Sequence, residues 1–233
     1  PPPTNDGGVS VGAALLVGGK RNSEQLKHAY FGPQYSNKEI RKILDKYNYR
    51  YEECKDIESR VVDLLTQGNI VSWFQGKMEI GPRALGNRSI LGDPRTRETH
   101  RKANIAKSRE QWRPLAPSIL ESEANTYLNM EGMKASPFML HTFPVKKGLR
   151  NKVPAIVHVN GTTRPQTISA ENNSKYYKLI KLFFKKTGVP MVLNTSFNGA
   201  GEPIVCTPFD ALTSFFSNTT DFLAIGDFLV SKR

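Results

Sequence analysis

Ile70-Val-Ser-Trp-Phe-Gln-Gly-Lys-Met-Glu-Ile-Gly-Pro-Arg-Ala-Leu-Gly-Asn-Arg-Ser-Ile-Leu-Gly-Asp-Pro-Arg95 opens as a strand and continues as a loop suited to anions. Ile70 to Phe74 combine β-branched and aromatic residues, the composition of a buried strand. From Gly76 onward, glycines and prolines frame Arg83, Arg88 and Arg95. Such a frame sets where each guanidinium fork points, which favours bidentate recognition of phosphate or carboxylate. Gly81 and Gly86 have the spacing of a P-loop, yet Asn87 stands where the phosphate-reaching lysine belongs and Pro82 removes a backbone donor. The stretch therefore reads as an anion site resting on Arg83 and Arg88. The competing reading is that both arginines form structural ion pairs with Glu79 and Asp93.

On either side, helix and strand signals mix without strict alternation, predicting an α/β (α+β) domain with a mixed sheet rather than a doubly wound one. Ser36-x-x-Glu39 is a capping box that opens a helix ending near Tyr47. Ile57, Val61, Leu64 and Leu65 mark one face of a helix over residues 56–67, stopped by Gly68. Further helices are expected over 97–106 and 174–186, and from Thr207 with Pro208 at its first position. Strands are expected at 116–120, 138–143, 155–159, 166–168, 189–193, 222–225 and 227–230. The small-residue run Val9-Ser-Val-Gly-Ala-Ala-Leu-Leu16 predicts a helix, and Pro1-Pro-Pro3 before it reads as a connector. Residues 1–20 are thus read as the tail of a preceding domain, 21–55 as a connector with a helix, and 56–233 as the main domain.

The 233 residues have 38% hydrophobic content and a mean hydropathy of -0.45, enough for one ample core. No apolar run approaches the roughly 20 residues a membrane helix needs, so no membrane partner is expected. Cys54 and Cys206 stand far apart, and the four histidines form no metal-binding pair at helical spacing. A disulfide framework and a local zinc site are thereby disfavoured, and a reducing cytoplasm fits best. Between Lys77 and Arg113, ten Lys/Arg stand against four Asp/Glu, which places half of the formal +12 in that stretch. A charge concentrated in loops calls for an anionic partner. The lysines of 178–186 follow a helical pattern and read as a solvated face.

Two more groups carry chemistry. Lys107-Ser-Arg-Glu-Gln-Trp-Arg113-Pro places two cations six residues apart across a helix end. His158-Val-Asn-Gly-Thr-Thr-Arg164-Pro and Leu193-Asn-Thr-Ser-Phe-Asn-Gly-x-Gly-Glu202-Pro each follow an apolar strand with hydroxyls, amides and glycines. Loops of that kind offer backbone N–H groups and small donors to a phosphate or carbonyl. Ser196 has no base legible in sequence.

Together, Gly76-Lys-Met-Glu-Ile-Gly-Pro-Arg-Ala-Leu-Gly-Asn-Arg-Ser, Trp112-Arg-Pro-Leu-Ala-Pro, His158-Val-Asn-Gly-Thr-Thr-Arg-Pro-Gln-Thr and Leu193-Asn-Thr-Ser-Phe-Asn resemble the C-terminal half of the NodU/TobZ-type O-carbamoyltransferases. The resemblance runs from Asp6 almost to the end. It implies a YrdC-like domain that uses carbamoyl phosphate and ATP, with Mg2+, to make carbamoyl-adenylate and pyrophosphate. By motif position it implies Lys107, Arg113 and Ser196 as catalytic residues. Arg83, Arg88, Arg164, Asn194 and Asn198 would bind ATP and phosphate. An N-terminal actin/hexokinase-type domain would then pass the carbamoyl group to a hydroxyl of a small-molecule or glycan acceptor. Asp6 matches an aspartate that completes that domain's site for iron or another divalent metal, whose histidines lie outside this sequence. The resemblance thus implies that this chain alone holds no metal at Asp6 and does not complete the transfer. The alternative is a YrdC-like nucleotide- or RNA-binding module without carbamoyl transfer; the lack of an aromatic-rich strand motif for stacking bases argues against RNA.

Overall fold

A computed structural model describes residues 6–19 and 26–232. In chain order the elements are α1 (Val9–Gly18), α2 (Asn37–Lys46), β1 (Tyr51–Glu53), α3 (Ile57–Thr66), β2 (Val71–Phe74), β3 (Arg88–Gly92) and α4 (Arg97–Ala106). After them come β4 (Ala116–Leu120), α5 (Glu121–Tyr127), β5 (Phe143–Pro144), β6 (Thr162–Thr163), β7 (Gln166–Ile168) and α6 (Ser174–Thr187). The last four are β8 (Met191–Ser196), α7 (Pro208–Ser217), β9 (Phe222–Ile225) and β10 (Phe228–Ser231).

Eight strands form one sheet in the order β1-β10-β9-β2-β3-β8-β4-β7, while β5 and β6 make a separate ribbon. The β2–β9 and β4–β7 pairs are parallel and the other ladders antiparallel, so the mixed sheet expected from the sequence is present. Every residue of β2, β3 and β4 is buried, which is why these strands read as continuous apolar or small runs without alternation.

Helix α6 shows how local sequence fixes the packing. Asn173 caps it by accepting the Tyr176 N–H at 3.0 Å, and Gly188 closes it in the left-handed region at φ 74°. Tyr176, Leu179, Ile180 and Phe183 lie on one face and are buried against α3, β4 and β8. The capping boxes at Ser36–Glu39 and Thr207–Asp210 set the starts of α2 and α7. Helix α1 differs from these: it buries none of its residues, and Val9, Leu15, Leu16 and Val17 are exposed.

Three expectations need correction. The Gly76–Arg95 stretch is not all loop, because residues 88–92 form β3, paired with β2 and β8. The strand expected at 155–159 is a short 3-10 turn at Pro154–Ile156 and then a loop closed by the His158 N–H donating to the Thr162 carbonyl at 2.8 Å. The strand expected at 138–143 shrinks to Phe143–Pro144. The segment read as a connector supplies β1, which pairs Tyr51 with Val230 and so joins the sheet. Asp6 lies in a 3-10 turn before α1, and its side chain is outside the described positions.

Candidate functional site

The loop joining β2 to β3 is held from inside by two opposite charges. Oε1 of Glu79 accepts the backbone N–H groups of Leu85 at 2.7 Å, Asn87 at 2.8 Å and Arg88 at 3.3 Å. Arg88 does the converse, donating to the carbonyls of Gln75 at 2.6 Å, Asn87 at 3.1 Å, Pro33 at 3.2 Å and Gly76 at 3.3 Å. Its guanidinium also lies 3.7 Å from the centre of the Phe74 ring, and the residue is 0% exposed. Burial raises the Glu79 pKa and lowers that of Arg88 to about 10. The two side chains satisfy N–H and C=O groups that a buried loop cannot give to water.

A second clamp holds the turn below Arg83. The Asn194 amide donates to the Ser118 hydroxyl at 2.9 Å, to Gln166 Oε1 at 3.3 Å and to the Ala84 carbonyl at 3.3 Å. Gln166 and Tyr30 each donate to the Leu85 carbonyl at 2.7 Å. Gly86 sits at φ 103°, and a Cβ there would fall 2.2 Å from the Tyr176 ring, so only glycine fits. Arg83 alone of the motif's charged centre stays unbound: half-buried, it has no hydrogen-bond or ion-pair partner among the described residues.

Arg164 faces the same problem from another loop. It leaves β6 just before β7, and its Nε is buried without a partner. Burial lowers its pKa, and the nearby Arg83 lowers it further. His158 is also held below its usual value, first by burial and then by Arg164. Two guanidinium groups thus repel each other with no described carboxylate between them.

Strand β8 connects this pair to a second cluster. Asn194 lies beneath the Arg83 loop, and Ser196, two residues along the same face, touches Lys107. Lys107 is 5% exposed at the end of α4. Its ammonium donates to the Ser196 carbonyl at 2.6 Å, the Ser196 hydroxyl at 3.0 Å, and the side-chain and backbone oxygens of Asn198 at 2.6 and 3.1 Å. The Ser196 hydroxyl donates in turn to Asn198 Oδ1 at 2.7 Å. Burial, with Arg109 nearby, pushes the Lys107 pKa down to about 7. Arg109 bonds Asn104 Oδ1 at 2.7 Å through Nε, while its Nη2 is buried without a partner. Arg113 is more exposed; it pairs with Glu110 at 2.7 Å and lies over the Trp112 ring.

Of the residues expected from sequence, Lys107, Ser196 and Asn198 come into contact, and Arg83 stands near Arg164. Arg88 and Asn194 lie apart from these contacts: both are buried, Arg88 donating to main-chain carbonyls and Asn194 to Ser118, Gln166 and the Ala84 carbonyl, with Arg88 Nε and Asn194 Oδ1 left without a partner among the described residues. The ion pairs weighed for Arg83 and Arg88 do not form as such, since Asp93 binds Arg95 at 2.6 Å and Glu79 binds backbone. Sequence reasoning missed Arg109 and the positioning roles of Asn104, Glu79 and Gln166. The Lys-x-Arg spacing from Lys107 to Arg109 held the only signal for the first.

The mixed sheet flanked by helices has a YrdC-like fold, shared with two solved structures. P. abyssi Sua5 complexed with L-threonine superposes with a TM-score of 0.54 at 16% identity, covering 72% of this chain and 46% of that one. Full-length HypF in its phosphate- and nucleotide-bound form superposes with a TM-score of 0.53 at 16% identity, covering 76% of this chain and 26% of that one. Residues 62–232 match the family model described as carbamoyltransferase C-terminus, and the chain belongs to that family. Nodulation protein NolNO of Sinorhizobium fredii is 41% identical over the whole of this chain and 35% of its own length. Nodulation protein NolO of Bradyrhizobium diazoefficiens is 40% identical, with 44% of its length covered, and nodulation protein U of Azorhizobium caulinodans is 35% identical across 85% of this chain and 34% of its own. The chain therefore spans less than half the length of these relatives.

Proposed function

We propose that this chain is the donor-activating part of an ATP-dependent O-carbamoyltransferase. Atom balance requires one water: carbamoyl phosphate, ATP and water give carbamoyl-adenylate, pyrophosphate and phosphate. The carbamoyl group then passes to a hydroxyl of a small-molecule or glycan acceptor, in the company of a preceding domain. The observation that carries this reading is Arg164, whose Nε is buried and partnerless and whose pKa is lowered first by burial and then by the neighbouring Arg83. A polyanion between them relieves the repulsion and supplies the missing acceptor.

In this reading Arg83 and Arg164 take phosphate oxygens, and Lys107 and Arg113 take the carbamoyl phosphate. Ser196 and Asn198 hold the Lys107 ammonium until an anion replaces them. Mg2+ arrives on the triphosphate, and catalysis is positioning plus neutralisation of charge developing on phosphoryl oxygens. The family membership and the phosphate- and nucleotide-bound state of HypF, on a similar fold, support the assignment. A cytoplasmic setting suits ATP and the two unpaired cysteines. A metal at Asp6, iron or another divalent ion, belongs to the same proposal and needs ligands from outside this sequence.

The test is carbamoyl-phosphate-dependent exchange between ATP and pyrophosphate. Wild type should exchange, and Arg83→Ala and Lys107→Ala should each lose on the order of 100-fold or more. Unchanged exchange in both variants would sink the site assignment.

A further inference from the structure

Beside the cations lies a cleft of about 800 Å³, far roomier than phosphate groups need. Its walls combine apolar surface from Trp112, Pro114, Val157 and Val159 with amides such as Asn160. Trp112 is 74% exposed and Val159 fully so, whereas Trp73, the chain's other tryptophan, is buried in the core. An indole and a valine left bare at the mouth of a cationic site are an apolar surface awaiting cover. Oδ1 of Asn160 is engaged by the Thr162 N–H at 3.1 Å and the Thr162 hydroxyl at 2.7 Å, which fixes its amide and leaves the NH2 side as a donor.

The cleft also connects to the cations. Pro114 and His158 line both it and a smaller cavity of about 100 Å³ whose wall includes Arg164. A ligand spanning the two has a flat apolar end at Trp112 and an anionic end at Arg164. Gly161, at φ 80° on the cleft floor, lies so close to the Arg150 guanidinium that a Cβ would meet it at 2.4 Å, which keeps this wall closely packed.

We propose that this cleft is the base-binding part of the ATP site, with the adenine stacked on Trp112 and its edge met by the Asn160 amide. The assignment rests on the reading of the chain as an ATP-using donor site. Stacking on an aromatic ring changes affinity by on the order of tenfold to a hundredfold and tolerates different bases. The amide contact then supplies what preference there is for adenine.

Tryptophan emission of the 233-residue chain tests this directly, because Trp73 is shielded. ATP and adenosine should quench it, inorganic tripolyphosphate should not, and the quench should vanish in Trp112→Leu. In the exchange assay, Trp112→Leu should raise KM for ATP about tenfold to a hundredfold with KM for carbamoyl phosphate unchanged, and Trp112→Phe should restore it. Exchange by wild type without any quench by ATP overturns the base site while the donor reading stands. Equal quenching by tripolyphosphate also overturns it, since Trp112 would then be responding to phosphate through Arg113. Quenching by adenosine in a chain that never exchanges upholds the base site and removes the donor reading instead.

Discussion

Arg88 and Arg164 are both arginines beside a strand in this molecule, and they are used in opposite ways. Both terminal nitrogens of Arg88 donate to main-chain carbonyls and its guanidinium is covered by Phe74, leaving only Nε without a partner among the described residues, while Glu79 binds the neighbouring N–H groups. Arg164 makes no side-chain hydrogen bond to any described residue, its Nε is buried, and its neighbour in charge is another arginine. The contrast separates scaffold from site by one criterion: whether the protein itself engages the terminal nitrogens of the guanidinium.

The sharpest way to break that contrast is to remove each arginine in turn. Arg88→Met strands several buried carbonyls and leaves Glu79 without its counter-charge, so we expect a loss of about 3–5 kcal/mol in urea denaturation. A loss as small as that of a surface substitution would mean that Arg88 is not the loop's frame. Arg164→Met should behave differently, changing stability by no more than about 0.5 kcal/mol in the stabilising direction after solvent screening is allowed for. Pronounced unfolding of that variant would show that Arg164 is structural after all.

A finer effect concerns pH. Lys107 falls from its ordinary 10.5 to about 7, so it is charged below that point and neutral above it. Because the unfolded chain keeps its proton up to 10.5, burial of Lys107 costs stability below about pH 7, and the cost is relieved as pH rises towards 10.5. Anion binding runs the other way: it favours the ammonium, so pyrophosphate affinity should weaken as pH rises above about 7. Titration calorimetry of Lys107→Arg should give a flat profile to pH 9 or so, since a guanidinium keeps its charge there. A wild-type profile that is equally flat would remove Lys107 from the anion site.

Much of the fold was legible because its helices announce their own ends. The Ser36 and Thr207 boxes and the 174–186 apolar face carry local physics that tertiary packing did not override. β3 was missed because its arginine and its closing glycine look like a loop, and nothing local says that Arg88 turns inward to carbonyls from distant residues such as Pro33. The 155–159 run was misread because an apolar alternation also suits a turn that buries Ala155 and Ile156. For the site, charge and motif order singled out Arg83, Lys107 and Arg164 as candidates. They could not say that Asn194 clamps a loop, or that Arg109 keeps a buried nitrogen unmatched, since both depend on contacts across the sheet.

The pairing of β1 with β10 has a kinetic consequence. Tyr51 must find Val230 across almost the whole intervening sequence, so this edge of the sheet carries the largest loop-closure entropy among the ladders of the domain. During synthesis β1 emerges early and stays unpaired until β10 has been made, exposing a free strand edge to wrong partners in the interval. The edge should therefore form late in refolding, after the hairpin of β2 and β3.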